Sequence, residues 1–548
     1  MNEIDRTRGI VGGALVLMLT QAGSILITLL LTPFMVNQLG LERYGLWVFL
    51  FAVVAFAGLL EVSIGRGSVR FIAFYGEHGQ YDVVRRIVSY GALMRIGLAL
   101  VLCPLAWLAG KALLPHANIP DDLVDDAQTL LPFVLGYFFL SATTRLMAAL
   151  VIAFERTWLA ALITFASQIL YAALVVLFLL EGLELPGLLL AVSVQSIAQG
   201  LGCYVVARRL IGRVFGNPFL LKRKVVIELL RFGGWTQLTN LSTLVNRQVD
   251  AVLIGSFIAI DTVGLYDLGN KIAQVARTLP LTLLGPLLPA ASRIHAQSDR
   301  QRLERTILQG SRLLALMTFG IGGFFVATAT LIMTVWLGQS YPDVATIAVL
   351  LTLTFVVNNL TGVGTTMVAA IGKPRYESEY AILGMVLNIA ATAVLGSIFG
   401  LYGIIAGTVF GITTSSIYFI WRFYRLFELP IGEYLFSWLW RLGTATAVAS
   451  AATYGLRMAL PDSMVDNRGN GLAVLVLLAL LYAVLLIAGL RVFSFLQRRD
   501  LETIERILPG RLRNLTRLSA VEFLFGTRLT GAAVPAEPPP ARGPHRGP

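Results

Sequence analysis

The feature that most constrains this chain is a succession of long apolar stretches, most of them about 20 residues or longer. A helix that crosses the hydrocarbon core of a bilayer needs about 20 mostly apolar residues. Charged residues make up only 14% of the chain, whereas a soluble domain carries about 25%. We therefore predict an all-α polytopic membrane protein with about fourteen transmembrane helices. The predicted spans lie near residues 10–36, 44–64, 88–110, 129–153, 158–180, 187–207, 232–258, 262–288, 311–337, 344–371, 378–399, 402–422, 436–458 and 470–490.

The connections between the spans alternate in charge. Odd-numbered connections carry acidic residues such as Asp121 and Asp122, whereas even-numbered ones carry basic residues such as Arg85, Arg208 and Arg293. By the positive-inside rule, both termini are predicted to be cytoplasmic. The net charge of +12 then reflects topology, and no nucleic-acid partner is expected.

Residues that could support catalysis or bind a metal are sparse. Cys103 and Cys203 lie in apolar runs, and the four histidines are far apart in sequence, so we predict no metal site and no cofactor. The longest internal connection, residues 208–231, is too short for a catalytic domain. A membrane-embedded glycosyltransferase would depend on the acidic segment PDDLVDD, which begins at Pro120 and is interpreted as a solvated loop. The protein is therefore not expected to be an enzyme.

Similar short segments recur in pairs at a separation of about 216–221 residues. Because each repeat holds six spans, an even number, the two six-helix units are predicted to be parallel and related by an axis along the membrane normal. Two such units enclose a central cavity that can open to either side, which is typical of transporters. The paired segments begin at residues 12 and 233, 44 and 263, 153 and 372, and 186 and 402.

The repeat also predicts how the chain is divided. Two further transmembrane helices follow the second unit, and the tail combines an amphipathic stretch with a disordered, proline-rich end. The predicted divisions are a first unit at 1–207, a basic cytoplasmic linker at 208–231, a second unit at 232–425, the two added helices at 426–490 and the cytoplasmic tail at 491–548.

Two segments resemble a known family. QLGLERYGLWVFLFAVVAFAGLLEVSIGRGSVRFIA (Gln38 to Ala73) and NRQVDAVLIGSFIAIDTVGLYDLGNKIA (Asn246 to Ala273) are similar to bacterial polysaccharide-unit flippases, the Wzx-type polysaccharide transporters. The resemblance implies a MATE-like fold, a location in the bacterial plasma (inner) membrane, and transport of undecaprenyl-diphosphate-linked oligosaccharide from the inner to the outer leaflet. It also implies a polysaccharide polymerase and the export machinery as candidate partners, beside the lipid bilayer.

Several charged residues fall deep within predicted spans, where each costs about 2.5–3.5 kcal/mol on insertion scales. One interpretation is a pair of structural ion pairs, Arg247 with Asp250 and Asp267 with Lys271, which have helical spacing. The other is a cationic lumen for a diphosphate, whose oxygens match arginine forks. The candidate lumen residues are Arg95, Arg145, Arg247, Lys271 and Arg277, with Asp250, Asp267 and Glu61 as candidates for ion coupling or structural pairing.

Amide side chains within spans extend this list. Gln21, Asn358 and Asn359 are predicted to line a polar lumen, where sugar hydroxyls need hydrogen-bonding partners, although helix–helix hydrogen bonds explain any single amide equally well. Two alternative functions stay open: a peptidoglycan-precursor flippase and a multidrug/cation antiporter. An antiporter for cationic drugs would need an acidic cavity, whereas the deep charges here are mostly positive.

Overall fold

A computed structural model of the protein describes residues 3–56, 64–114, 118–221, 223–285, 287–339, 341–461, 465 and 468–495. Within these residues the regular structure is helical, and no β-strand occurs. The predicted tail lies outside the described residues from 496 onward. The α-helices are α1 (Glu3–Ala55), α2 (Ile64–Glu77), α3 (Tyr81–Leu113), α4 (Asp121–Ala153), α5 (Thr157–Leu180), α6 (Glu184–Ile211), α7 (Arg223–Phe257), α8 (Ile260–Leu281), α9 (Leu287–Ala296), α10 (Arg300–Leu337), α11 (Pro342–Asn359), α12 (Gly362–Ala370), α13 (Arg375–Leu426), α14 (Ser437–Ala459) and α15 (Arg468–Val492).

The described helices account for about fourteen spans, as predicted. Nine helical stretches of the described residues are long and apolar enough to cross a membrane by length and composition. Two of them, α1 and α13, are double, because their limbs meet at Gly40 (φ +77°) and Gly400 (φ +59°), where only glycine adopts such angles readily. Helices α7, α8 and α14 complete the count. Helices α7 and α8 carry most of the deep charges, which lower their mean hydropathy.

The turns of the backbone confirm the internal repeat. Residues with left-handed φ angles recur at separations of 219, 217, 218 and 216 residues, the spacing at which the sequence repeats. Such angles are uncommon for residues other than glycine, so their recurrence marks equivalent turns in the two units. The pairs are Gly79 and Ser298, Glu155 and Gly372, Gly182 and Gly400, and Gly212 and Glu428.

The two units meet where α1 crosses α7 and α8. A Cβ added to Gly45 would lie 1.9 Å from the Ile260 carbonyl oxygen and 3.2 Å from the Gly264 nitrogen. A Cβ added to Gly255 would lie 2.4 Å from the Phe49 ring. Gly45 and Gly264 are 219 residues apart and are therefore equivalent in the repeat. The two units thus meet at a close crossing formed by equivalent glycines.

A second contact between the units follows from a proline. Pro33 lies inside α1 and has no N–H, so the carbonyl of Leu29 loses its partner within the helix. The indole N–H of Trp336, on α10, donates to this carbonyl at 2.5 Å. The hydrogen bond satisfies a partly buried backbone carbonyl that the proline leaves without a partner in the helix.

The connection between the units is shorter than predicted and is anchored to the first unit. Helix α6 continues to Ile211 and α7 begins at Arg223, because helices extend past the apolar segments that hydropathy detects. The guanidinium of Arg85 donates to the carbonyls of Ile211 and Arg213, both at 2.8 Å. The Gly216 N–H donates to the Ser89 hydroxyl at 2.9 Å.

Candidate functional site

A cavity of about 220 Å³ lies inside the second six-helix unit, between α7, α8, α11 and α13; we call it the polar cavity. Residues 266, 270, 274 and 277 of α8 line it because their spacing of three or four places them on one helix face. The lining consists of Thr243, Asn246, Arg247, Tyr266, Asn270, Gln274, Arg277, Leu351, Phe355, Asn358, Glu377, Tyr380, Ala381, Gly384, Thr408, Ile412 and Ser415.

Arg277, on α8, is held in place by side chains of α11, which α13 supports in turn. Its Nη2 donates to Asn358 Oδ1 at 3.0 Å, and its guanidinium lies 4.8 Å from the centroid of the Phe355 ring. The Asn358 amide in turn donates to the Tyr380 hydroxyl at 2.5 Å and to Ser416 Oγ at 3.1 Å. A cation fixed by hydrogen bonds to neutral groups keeps its charge available, so Arg277 is arranged to meet an anion.

Arg247 faces the same cavity from α7. Its side chain is exposed to this space and forms no ion pair within the described part of the chain. Its charge acts on that of Arg277, so the two guanidinium groups lie within electrostatic range of each other. Glu377 is the one carboxylate among the lining residues that the structure describes. The lining therefore carries a net positive charge.

Asp250 lies behind the cavity wall rather than in it, and is 1% exposed. Its carboxylate accepts hydrogen bonds from the Tyr266 hydroxyl at 2.5 Å and from Thr408 Oγ1 at 2.7 Å. The Asn388 amide donates to Thr408 Oγ1 at 3.0 Å, which directs the threonine proton towards Asp250. The Arg247–Asp250 ion pair expected from their spacing does not form, because Asp250 faces α8 and α13 while Arg247 faces the cavity.

A second cavity of about 270 Å³ lies between the two units, bounded by α1 and α5 on one side and α7 and α8 on the other. We call it the interunit cavity. Its lining residues are Ile27, Thr28, Leu31, Thr32, Met35, Tyr44, Trp47, Val48, Phe51, Gln168, Tyr171, Gln248, Asp267 and Lys271.

The expected Asp267–Lys271 ion pair forms in the interunit cavity, within α8. Tyr44, from the second limb of α1, completes the group. Its hydroxyl donates to Asp267 at 2.5 Å and accepts from Lys271 Nζ at 2.7 Å. The pair therefore connects the two units, and the structure separates Lys271 from the arginines of the polar cavity.

Two further candidates for the cationic lumen lie in the first unit. Arg95 is 2% exposed, and its guanidinium donates to the Gly91 carbonyl of its own helix at 3.1 Å. Arg145 is exposed, donates to Ser141 Oγ at 2.9 Å and lies 5.8 Å from the Phe138 ring. Neither arginine lines the polar cavity or the interunit cavity.

Of the remaining predicted residues, some line a cavity and others do not. Asn358 lines the polar cavity, whereas Asn359 is 1% exposed and donates to the backbone carbonyl of Arg277 at 3.1 Å. Gln21 is exposed on α1 and lines neither cavity. Glu61 lies outside the described residues.

Several residues that shape these cavities were not predicted. Glu377 falls one residue before the predicted eleventh span and was therefore assigned to a loop. Tyr266, Tyr380 and Thr408 have side chains that are ordinary in apolar helices, so no signal in the sequence distinguishes them. Gln248 stands between Arg247 and Val249, and its polarity at that depth was a signal that could have been used.

The sequence matches a family model described as polysaccharide biosynthesis protein over residues 10–295. A putative O-antigen transporter of Shigella flexneri is 20% identical over 403 residues, covering 72% of this chain and 92% of that protein. The membrane protein EpsK of Bacillus subtilis, described as uncharacterized, is 22% identical over 330 residues, covering 59% of this chain. The match spans 64% of EpsK, which is less than two thirds of its length.

Two solved structures share the arrangement of helices. The lipid II flippase MurJ, in an inward closed conformation, superposes with a TM-score of 0.69 at 14% identity, covering 87% of this chain and 99% of that one. An inward-facing multidrug resistance MATE family transporter of the MOP superfamily gives a TM-score of 0.58 at 14% identity, covering 76% of this chain and 98% of that one. These likenesses confirm the predicted MATE-like fold.

Proposed function

Because the chain belongs to the polysaccharide biosynthesis protein family, whose model matches just over half of it, we propose that it is a flippase for lipid-linked oligosaccharides. Family membership confirms the resemblance identified in the segments from Gln38 to Ala73 and from Asn246 to Ala273. The relatives and solved neighbours with a named activity are transporters or flippases. The chain is accordingly a multi-pass membrane transporter and not an enzyme.

The proposed substrate is an undecaprenyl-diphosphate-linked oligosaccharide that passes from the cytoplasmic to the periplasmic leaflet for surface polysaccharide synthesis. The observation that carries this proposal is the pair Arg247 and Arg277 in the polar cavity. A diphosphate loses its hydration when it leaves the membrane surface, and two arginine forks among amide and hydroxyl groups replace part of it. Asn270 and Gln274 add neutral hydrogen-bonding groups to the same lining.

Transport would proceed by alternating access, with the two six-helix units rocking about their contact at Gly45 and Gly264. The positive-inside pattern supports cytoplasmic termini in a bacterial inner membrane. A substrate that enters from the cytoplasm would meet the polar cavity while the crossing of α1 with α7 and α8 stays closed. The polysaccharide polymerase and the export machinery would then receive the translocated lipid.

Asp250 is the proposed coupling residue. It is a buried carboxylate in a membrane helix, and its two donors, Tyr266 and Thr408, both line the polar cavity. Binding of a proton or a cation by Asp250 would release these hydroxyls towards the cavity. The occupancy of Asp250 and the hydrogen-bonding capacity of the substrate site are therefore linked. Asp267 fits this role less well, because Lys271 already neutralises it.

The similarity to MurJ keeps a peptidoglycan-precursor substrate as the second candidate, since it is also a lipid-linked diphosphate. A multidrug/cation antiporter is disfavoured because the polar cavity holds two arginines against one carboxylate. Loss of the protein would have different consequences for the cell under the two flippase hypotheses. Loss of the only peptidoglycan-precursor flippase would be lethal, whereas loss of a surface-polysaccharide flippase leaves viable cells.

The first experiment is mass spectrometry of the lipid extract from a deletion strain and its parent. We expect an undecaprenyl-diphosphate oligosaccharide to accumulate while surface polysaccharide falls. Arg247→Ala and Arg277→Ala should each reduce export at least tenfold, and Arg209→Ala, an exposed arginine at the end of α6, serves as the matched control. Unchanged export in both cavity variants, or a deletion strain that changes only in drug tolerance, would contradict the proposal.

A further inference from the structure

The interunit cavity differs in chemistry from the polar cavity. Its charged lining residues in the described structure are Asp267 and Lys271, which neutralise each other. It therefore offers no net charge to a phosphate. Aromatic rings form much of its remaining surface, from Tyr44, Trp47 and Phe51 on α1 and from Tyr171 on α5. This lining favours a neutral ligand that has both apolar and polar faces.

Three polar groups in this cavity have hydrogen-bonding capacity that the protein does not use. The Gln248 amide, the Tyr171 hydroxyl and the Trp47 indole N–H make no side-chain hydrogen bond with another residue in the described ranges of the chain. They come from α7, α5 and α1, so they approach the cavity from three directions. Polar groups at such a depth normally pair with another helix or with a ligand.

The Tyr44–Asp267–Lys271 group adds further hydrogen-bonding atoms. The Asp267 and Lys271 side chains are 19% and 26% exposed, so each retains atoms that the cavity can reach. A carboxylate accepts several hydrogen bonds, and an ammonium group has three protons to donate. A ligand with several hydroxyl groups could use both without separating the ion pair.

We infer that the interunit cavity binds a sugar ring of the transported glycan. A sugar ring is neutral, presents C–H groups on its faces, which pack against aromatic rings, and carries hydroxyls at its edge, which need donors and acceptors. The volume of about 270 Å³ lies just below the range of about 300 to 1,000 Å³ that is typical of sites for drug-sized molecules, as expected for a single sugar ring. The inference rests on the proposed function and assigns the glycan to a site separate from that of the diphosphate.

The helix pair α7 and α8 explains how one substrate could contact both cavities. Arg247 faces the polar cavity and the next residue, Gln248, faces the interunit cavity. In the same way Asn270 and Lys271, adjacent on α8, face different cavities. The two cavities thus lie on opposite sides of one helix pair, within reach of a diphosphate and the sugars attached to it.

The test measures binding of two lipids to the full-length protein in lipid nanodiscs. One is undecaprenyl diphosphate, and the other is the undecaprenyl-diphosphate-linked glycan extracted from the deletion strain. We expect the wild-type protein to prefer the glycan-bearing lipid. Gln248→Leu and Tyr171→Phe, singly, should lower the ratio of the two affinities about five- to tenfold, which is the contribution of one hydrogen bond.

Gln199→Leu is the matched control, because the Gln199 amide already donates to Thr164 within the first unit, at 2.9 Å. It should leave the ratio unchanged. Equal wild-type affinities for the two lipids, or a ratio that survives both cavity substitutions, would overturn the glycan site while leaving the flippase intact. Failure of the wild-type protein to bind either lipid would instead overturn the proposed function. Tyr171→Phe removes a single oxygen atom and keeps the test decisive if Gln248→Leu does not fold.

Discussion

The two six-helix units share a backbone but not a chemistry. Their left-handed turns recur at separations of 216–219 residues, and their equivalent glycines Gly45 and Gly264 meet at the crossing of α1 with α8. A repeat of this kind requires the same helices and the same turns in both units. It does not require the same side chains inside them.

The charged residues that line the two cavities in the described structure all belong to the second unit, whereas the deep arginines of the first unit, Arg95 and Arg145, line neither cavity. At the 219-residue spacing set by Gly45 and Gly264, the first unit has an uncharged residue opposite each of four charged ones. Architecture and ligand chemistry are therefore separable: the two units share a backbone, and the second supplies the charged residues of both cavities. The pairs are Thr28 and Arg247, Leu31 and Asp250, Val48 and Asp267, and Ala52 and Lys271.

The largest expected effect comes from giving the second unit the residue of the first at Asp250. Asp250→Leu removes the acceptor of two buried hydroxyls, on Tyr266 and Thr408, so we expect it to lower the free energy of unfolding by about 2–5 kcal/mol. Thermal unfolding in one detergent measures this. Asp343→Leu is the control, because its partner Tyr402 is exposed and can turn to water. A variant as stable as the wild type would show that the Asp250 network contributes nothing to stability.

Substitution of the two glycines at the crossing should have unequal effects, although Gly45 and Gly264 are equivalent in the repeat. Gly45→Ala places a Cβ 1.9 Å from the Ile260 carbonyl oxygen, whereas Gly264→Ala places one 3.1 Å from that of Leu41. We expect Gly45→Ala to cost about 1–3 kcal/mol and to reduce export several-fold, because the helices must separate. Gly264→Ala should cost less than about 1 kcal/mol.

Gly136→Ala is the control for the crossing, since no atom lies within 4 Å of its added Cβ. Thermal unfolding measures the loss of stability, and the surface polysaccharide of the complemented deletion strain measures export. Equal effects of Gly45→Ala and Gly264→Ala would mean that the crossing is more symmetric than its contacts indicate.

The fold was more predictable than the site, for a physical reason. Hydropathy identifies segments that lipid can surround, and the repeat spacing orders them, so the fourteen spans and two units follow from the sequence. Helix ends do not. Helix α10 begins at Arg300 rather than near residue 311, because basic residues extend the helix beyond the apolar segment. Hydropathy cannot detect that extension.

The site shows the limit of periodicity. Spacing shows that Asp267 and Lys271 share a helix face, and they do pair. It cannot show which neighbouring helix a face meets, so the predicted lumen combined Lys271 with Arg277 although the structure places them in different cavities. The partner of Asp250 was beyond local reasoning, since Thr408 is 158 residues away in sequence.

A smaller effect is expected when the ion pair of α8 is replaced by the residues of the first unit. Lys271→Ala alone leaves Asp267 without its cation and should cost about 1–2 kcal/mol, as should Asp267→Val. The double variant should cost less than the sum, by about 1 kcal/mol, because neither charge then remains. Thermal unfolding of the four proteins gives this coupling. Additive effects would indicate that Tyr44 alone, and not the pair, connects the units.

The Arg375–Glu379 pair provides the comparison for that cycle. It has the same four-residue spacing on α13, but the Arg375 side chain is 87% exposed. Water screens such a pair, so no measurable coupling is expected there. A coupling as large as that of Asp267 and Lys271 would mean that burial in the interunit cavity does not strengthen the pair.

The smallest effect tests a difference of backbone rather than of charge. Pro33 in the first unit corresponds to Val252 in the second, so only the first unit needs Trp336 to satisfy a carbonyl that the proline leaves free. Trp336→Phe should cost about 1 kcal/mol in the wild-type background. In a Pro33→Val background the residue 33 N–H can bond to the Leu29 carbonyl, and the same substitution should cost about half as much. An equal cost in both backgrounds would show that Trp336 contributes by packing, and that the hydrogen bond does not compensate for the proline.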